Sequence, residues 1–231
     1  MAGGGPRYER LEKAPVDPES LLLDVRKEKI DKVISQRTRT FTVVLDRLED
    51  SFNMAAVLRT CEANGLQEVH VIVNPEAPFM PNSRVAQGCD KWLDVKLYKD
   101  FASCREHLKS RGFALYASAI REDATSLYSL RFDTKIALVF GNEREGVSNE
   151  VLAQTDGTFW IPMRGFSQSL NISAAASACI TRAISWREEH LGRVGDLTEA
   201  EAQELRDRFY VLAVKQRRRI FKKQKQPSPK P

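Results

Sequence analysis

The feature that most constrains this chain is an alternation of two apolar rhythms. Short, nearly continuous apolar runs at residues 41–45, 69–73, 92–97, 113–119, 136–140 and 159–163 read as buried strands. Between them the apolar residues recur at helical spacing. Met54, Val57, Leu58 and Cys61 stand at i, i+3, i+4 and i+7, with Gly65 placed to end that helix. Further helices are predicted over 101–110, stopped by Gly112, over 149–154, and from about Asn171 into an alanine-rich stretch. Strands separated by helices need crossover connections, so the pattern predicts an α/β fold with a parallel sheet and helices on both faces. A chain of 231 residues can bury such a core without a metal or disulfide staple.

The two ends depart from this rhythm. Residues 1–16 read as a loose leader without the hydrophobic middle of a secretory signal, and no apolar run approaches the ~20 residues of a bilayer span. A soluble, cytoplasmic protein is expected. Asp17-Pro18-Glu19 predicts a helix start, with Leu23, Ile30, Val33 and Ile34 on one face, Arg26, Lys27, Lys29 and Lys32 free for solvent or a partner, and an end near Arg37. Thr198 and Glu201 form a capping-box pattern, followed by Leu205, Phe209, Leu212 and Ile220 at helical spacing. Residues 226–231 hold three prolines and are expected to be disordered.

Charge follows the same division. The chain carries +5 overall, but residues 215–231 hold eight basic side chains and no acidic one, leaving the rest at −3. A mildly acidic body with a basic arm fits a protein that docks a polyanion through an appendage. Nucleic acid fits better than a membrane surface, because no lipidation motif is present; the alternative is a tail kept for solubility. The candidate contacts are Arg26, Lys29, Arg217, Arg218, Arg219, Lys222 and Lys223. Cys61, Cys89, Cys104 and Cys179 form no CxxC pair and lie far in sequence from His70, His107 and His190, so no metal site is predicted and all four read as structural thiols.

Three polar stretches stand at the ends of predicted strands, where open α/β sheets bind ligands. In Asn53-Met-Ala-Ala-Val-Leu-Arg59-Thr60, Arg59 interrupts an apolar-rich helix, and a partly buried guanidinium needs an anion, either a ligand or a carboxylate such as Asp46 or Asp50. In Leu138-Val-Phe-Gly141-Asn-Glu143-Arg-Glu-Gly146, a strand breaks into a two-glycine loop that matches neither a dinucleotide nor a triphosphate fingerprint. Glu143 there contacts a ligand or caps the next helix. In Ile161-Pro-Met163-Arg-Gly-Phe-Ser-Gln-Ser169-Leu170-Asn171-Ile-Ser, a loop opens a helix whose free N–H groups suit an electron-rich ligand, unless Asn171 is simply the cap of a packing helix.

Taken together and in this order, Asn53…Arg59-Thr60, the FGNE-x-E-G loop and IPM…QSLN-x-S resemble the three signature motifs of the SpoU/TrmH branch of the SPOUT RNA methyltransferases, over roughly residues 40–186. The basic ends resemble its tRNA (guanosine-2′-O)-methyltransferase members. The resemblance implies a core at 40–190 with a C-terminal deep trefoil knot, flanked by a leader and helical extension at 1–39 and a helix and basic tail at 191–231. It implies S-adenosylmethionine as methyl donor, tRNA as substrate with the D-loop guanosine as target, and a homodimer with its active site at the subunit interface. Arg59 matches the essential arginine; Asn53, Glu143, Ser169 and Asn171 match the other polar motif positions. Ala117, Ser118, Gly141, Ile161, Met163 and Leu170 are the expected cofactor walls. No metal is implied. Glu49-Asp50-Ser51-Phe52 is acidic where many tRNA-modifying relatives are basic, which shifts phosphate contacts toward the terminal arms. A ribosomal RNA methyltransferase and a non-catalytic RNA-binding module are the competing readings.

Overall fold

The computed structural model describes residues 17–76 and 78–224, the last nine of these as backbone helix only. In chain order the elements are α1 (Asp24–Ile34), β1 (Phe41–Asp46), α2 (Ser51–Ala63), β2 (Glu68–Ile72), α3 (Ser83–Ala86), β3 (Asp94–Tyr98), α4 (Phe101–Ser110), β4 (Ala114–Ser118), β5 (Thr125–Ser126), β6 (Ile136–Phe140), α5 (Asn149–Leu152), β7 (Gly157–Trp160), α6 (Ile172–Leu191) and α7 (Glu199–Gln224). The strands form one seven-stranded sheet in the order β3-β2-β1-β6-β4-β7-β5. Every pairing is parallel; Leu45, for example, stands beside Val71 on one side and Phe140 on the other.

The period of two along each strand divides the core. Phe41, Val43, Leu45, Leu138 and Phe140 face α2 and α6, meeting Met54, Val57, Leu58 and Cys61 of the first helix and Ala176, Cys179, Ile180 and Ala183 of the second. Val44, Ala137 and Val139 face the other way, onto Phe101, Cys104 and Leu108 of α4 and Val151 of α5. Small residues on α6 let it lie close to α2, where the Thr60 and Ser177 hydroxyls share a 2.9 Å hydrogen bond. A separate cluster joins the terminal helices, Ile30 and Ile34 of α1 packing on Leu205, Phe209 and Ala213 of α7.

The expected parallel α/β architecture is therefore present, and the differences are local. The first helix does not run unbroken from Asp17 to Arg37: Leu22 and Leu23 are extended, separating a short 3₁₀ turn from α1. Leu23 is exposed as a result and lies off the apolar face. Trp92 belongs to a 3₁₀ turn, Asp90–Trp92, ahead of β3. The last expected strand stops at Trp160, because Pro162 has no N–H to give a ladder. Cys89 is only partly covered, unlike the other three cysteines. The capping box at α7 is formed: Glu201 accepts from the Thr198 backbone at 2.8 Å and Thr198 Oγ1 accepts from the Glu201 N–H at 3.3 Å. The leader at 1–16 and the proline-rich tail lie outside the described residues.

Candidate active site

All seven strands point their C-terminal ends the same way, so the loops after β1, β4, β6 and β7 gather at one edge of the sheet. Between them lies a cavity of about 610 Å³, walled by Ser118 and Ile120, by the loop 141–147, and by Ile161, Met163, Ser169, Leu170 and Asn171. That volume lies within the range of small-molecule sites. The wall is mixed: Ile161, Met163, Leu170 and Trp160 offer apolar surface, while Asn142, Glu143, Gln168 and Ser169 offer polar groups.

The β6 loop holds its shape through its two glycines. Asn142 and Gly146 exchange backbone hydrogen bonds at 3.1 and 2.9 Å, closing the loop on itself. A side chain at Gly141 would place its Cβ 2.0 Å from the Gly146 carbonyl carbon. Gly146 takes φ +69°, which side chains rarely adopt. The close approach that requires glycine at position 141 is thus to the loop's own backbone.

From this loop Glu143 reaches across to the start of α2. Its carboxylate accepts from the Glu49 and Asp50 backbone N–H groups at 3.2 and 3.3 Å and from the Asn53 amide at 3.2 Å. Asn53 Oδ1 in turn accepts from Asn171 Nδ2 at 3.2 Å, and Asn171 caps α6 through the Ser173 N–H at 2.9 Å. Three residues far apart in sequence therefore form one chain of hydrogen bonds that fastens α2, the β6 loop and the start of α6 together. Glu143 does not cap the helix that follows it, a role taken by Ser148. Asp50 caps α2 itself, accepting from Phe52 and Asn53, and Glu49 accepts from the Asn142 amide at 3.1 Å, so both acidic residues before Asn53 have partners in the chain.

Arg59 differs from expectation. Residues 54, 55, 57, 58 and 61 face the core, and position 59 falls on the opposite side of α2, exposed. Neither proposed carboxylate pairs with it, since Asp46 holds Arg47 at 3.1 Å and Asp50 is the helix cap. Among the described residues it has no hydrogen-bond or ion-pair partner, and it does not line the cavity of its own chain. Ala117 also departs from the expected walls: it is fully buried in the core beneath the cavity, because alternation along β4 turns it into the sheet. Trp160, Ile120, Asn142 and Gln168 line the cavity without having been singled out. For Trp160 and Asn142, position at or just beyond the C-terminal end of a buried strand was the available signal.

The sequence matches the SpoU rRNA Methylase family over residues 40–181. The chain belongs to the SpoU methylase family. It is 38% identical over 160 residues to the tRNA (guanosine(18)-2′-O)-methyltransferase of Thermus thermophilus, covering 69% of this chain and 82% of that one. The crystal structure described as A. aeolicus TrmH/SpoU tRNA modifying enzyme superposes with a TM-score of 0.75 at 27% identity, over 83% of this chain and 98% of that one. The fold is shared with the SpoU methyltransferase AviRb from Streptomyces viridochromogenes, solved in complex with the cofactor AdoMet, at a TM-score of 0.57 and 22% identity over 67% of this chain and 62% of that one. The family assignment spans the cavity and every residue of the Asn53–Glu143–Asn171 chain. None of the four cysteines lines the cavity, and burial pushes the Cys104 and Cys179 thiols up to about 12. Among the described residues no group of three His, Cys, Asp or Glu side chains is placed to hold a metal ion.

Proposed function

We propose that this SpoU-family protein transfers a methyl group from S-adenosylmethionine to a ribose 2′-hydroxyl of tRNA, the D-loop guanosine being the target. The observation that carries the reading is the hydrogen-bonded chain from Asn171 through Asn53 to Glu143, which locks the helix bearing Arg59 to the rim of a donor-sized cavity. The residues present suit the donor: Ile161, Met163 and Leu170 can sandwich an adenine, and Ser118 and the backbone of the 141–147 loop can read its edge. When bound, S-adenosylmethionine supplies a methyl group already activated by the sulfonium charge.

The work left to the protein is to present a hydroxyl that is hardly ionised at neutral pH. Arg59 is always protonated and cannot act as base; its planar fork suits a phosphate. It clamps the phosphate beside the target ribose, fixing the hydroxyl in line and leaving the phosphate to accept its proton. Asn53 and Asn171 orient this helix, Glu143 braces it, and Ser169 stands in the cavity wall near the reacting groups. Because Arg59 lies outside its own chain's cavity, the reading requires a homodimer in which one protomer's Arg59 serves its partner's cavity. The division into 1–39, 40–190 and 191–231 follows the separate packing of α1 on α7, and the C-terminal part of the sheet is read as the family's deep trefoil knot, an exception to the usual avoidance of threading. The basic tail residues Arg217, Arg218, Arg219, Lys222 and Lys223 serve as an RNA-binding arm, and the protein works in the cytoplasm.

Methyl incorporation from radiolabelled donor into bulk tRNA, with the modified nucleotide mapped by mass spectrometry, tests this directly. A 2′-O-methylguanosine in the D-loop is expected. Incorporation into ribosomal RNA alone, or RNA binding with no incorporation at all, overturns it.

A further inference from the structure

A second cavity, of about 340 Å³, opens at the other end of the sheet, among the residues that lead into β1 and β6, the end of α6 and the stretch joining α6 to α7. Thr40, Asp133, Lys135, Arg187, Arg193 and Asp196 are among the residues that wall it. Three cations and two carboxylates therefore share one space.

The carboxylates are taken. Asp196 accepts from the Arg39 N–H and from Arg187, both at 2.8 Å, and from the hydroxyls of Thr38 and Thr40. Asp133 accepts from Arg131 at 2.6 Å. The cations have donors to spare. Arg187 is 4% exposed, and only its Nη2 is engaged, by the Thr40 hydroxyl at 2.6 Å and by Asp196. Its Nε and Nη1 are buried with no partner among the described residues, which leaves three N–H donors unused. Native chains rarely leave buried donors unpaired unless a ligand, an ion or water takes them. Lys135 uses one of its three donors on the Arg111 carbonyl, at 2.9 Å. Arg193 is exposed and, among the described residues, has no hydrogen-bond or ion-pair partner.

The backbone around these cations is closely packed. α6 ends at Gly192 with φ +65°, the left-handed turn that leads the chain to Arg193. A Cβ at Gly195 would stand 2.0 Å from the Ser35 carbonyl oxygen, and the Asp196 N–H donates to the Arg37 carbonyl at 3.1 Å. A phosphate group offers several acceptor oxygens at once, and guanidinium forks and an ammonium match them through charge-assisted hydrogen bonds. The volume, at the lower end of the range for small-molecule sites, suits a group of that size.

We infer that Arg187, Arg193 and Lys135 form a phosphate-binding site at the end of the sheet remote from the first cavity. Its ligand is a phosphate oxyanion, free or esterified, and binding ties the entry of β6 to the end of α6 and the stretch leading to α7. The site stands apart from the proposed methyl transfer, since none of its residues walls the first cavity.

Calorimetric titration of the full chain with inorganic phosphate, at an ionic strength held constant with chloride, tests it. Saturable binding of one phosphate per chain is expected, with a rise in melting temperature that saturates alongside it. Arg193→Ala and Lys135→Ala should each weaken that binding by about tenfold, the worth of one charge-assisted hydrogen bond. Arg187→Lys keeps a charge beside Asp196 but loses the unused nitrogens, and should weaken it at least as much. If that variant fails to fold, the two exposed positions still decide. S-adenosylmethionine affinity should stay unchanged throughout. A tRNA transcript added to the phosphate-loaded protein separates the sources: displacement of the phosphate identifies an RNA phosphate as the occupant, and undisturbed binding identifies a small phosphate compound. No saturable binding at millimolar phosphate, or equal affinity in parent and variants, overturns the site. Loss of phosphate and donor affinity together would mark a general folding defect and overturn it as well.

Discussion

The two ends of the sheet both carry charged side chains and treat them differently. At the N-terminal ends of the strands, Glu68 is buried and receives Arg111 at 2.5 Å, Arg39 at 3.2 Å and Lys96 at 3.6 Å. Asp196 there gathers Thr38 at 2.5 Å, the Arg39 N–H at 2.8 Å, Arg187 at 2.8 Å and the Thr40 hydroxyl, stitching the segment before α7 to the segment before β1. Asp94 holds Arg208 of α7 in the same way. At the C-terminal ends, by contrast, Asn53, Glu143 and Asn171 form an open, hydrogen-bonded chain beside the cavity, and among the described residues Arg59 has no hydrogen-bond or ion-pair partner. Charges satisfied internally anchor the extensions; charge left open is available to a ligand. The comparison teaches that satisfaction separates a structural ion from a functional one better than residue type does.

The contrast can be broken from either side. The largest effect is expected at the open end. Arg59→Ala should leave less than about a tenth of the wild-type methyl-transfer rate, a barrier rise of at least ~1.4 kcal/mol, while shifting unfolding free energy by no more than about 0.5 kcal/mol. Arg59→Lys, which keeps the charge and loses the fork, should stay impaired in the same assay. A robustly active alanine variant would remove Arg59 from the mechanism.

At the closed end the pattern reverses. Glu68→Ala strands Arg111, Arg39 and Lys96 around a buried void, and because those cations are partly exposed the expected loss is about 2–3 kcal/mol in chemical denaturation. The specific activity of the folded fraction should be preserved, which separates this site from the first.

A smaller effect is written into pH. His70 is fully buried, with Nδ1 2.9 Å from the Tyr98 hydroxyl, and burial holds its imidazole below the ordinary value of about 6.5. The unfolded chain therefore takes up this proton first, so stability should fall as pH drops below about 6.5, with a slope no steeper than ~1.4 kcal/mol per unit from this one group. Burial alone would raise the Glu68 carboxyl, but its contacts with His70 and Arg111 and the charges of Arg111 and Lys96 hold it well below the usual carboxylate range. Its contribution is complete above that range and is lost only as pH falls through it. His70→Gln should flatten the curve between pH 7 and 5 and leave the lower limb in place.

Much of this was legible in the sequence. Strand 136–140 and helix 101–110 match their apolar patterns residue for residue, because each depends on burial that the pattern itself encodes. Asn53, Glu143 and Asn171 were visible as polar residues at strand and helix ends. Their joining into one hydrogen-bonded chain was not, since it depends on a parallel crossover that brings positions 90 and 118 residues apart within reach. Arg59 was readable as a cation out of place on an apolar helix, but its side of the helix needed the phase of Met54, Val57 and Leu58 against the sheet. The break at Leu22–Leu23 carried no glycine or proline signal. The buried network around Glu68 was equally silent, because Arg39, Glu68, Lys96 and Arg111 look like surface charges until the sheet edge and α4 enclose them.

Gly141 has one more consequence. With the Gly146 backbone filling the space where a side chain would stand, and Asn142 and Gly146 hydrogen-bonded to each other, this stretch of the cavity wall is shaped by the chain's own backbone. A loop already closed on itself has less ordering entropy to lose when a small molecule is captured, which leaves more of the contact free energy to appear as affinity.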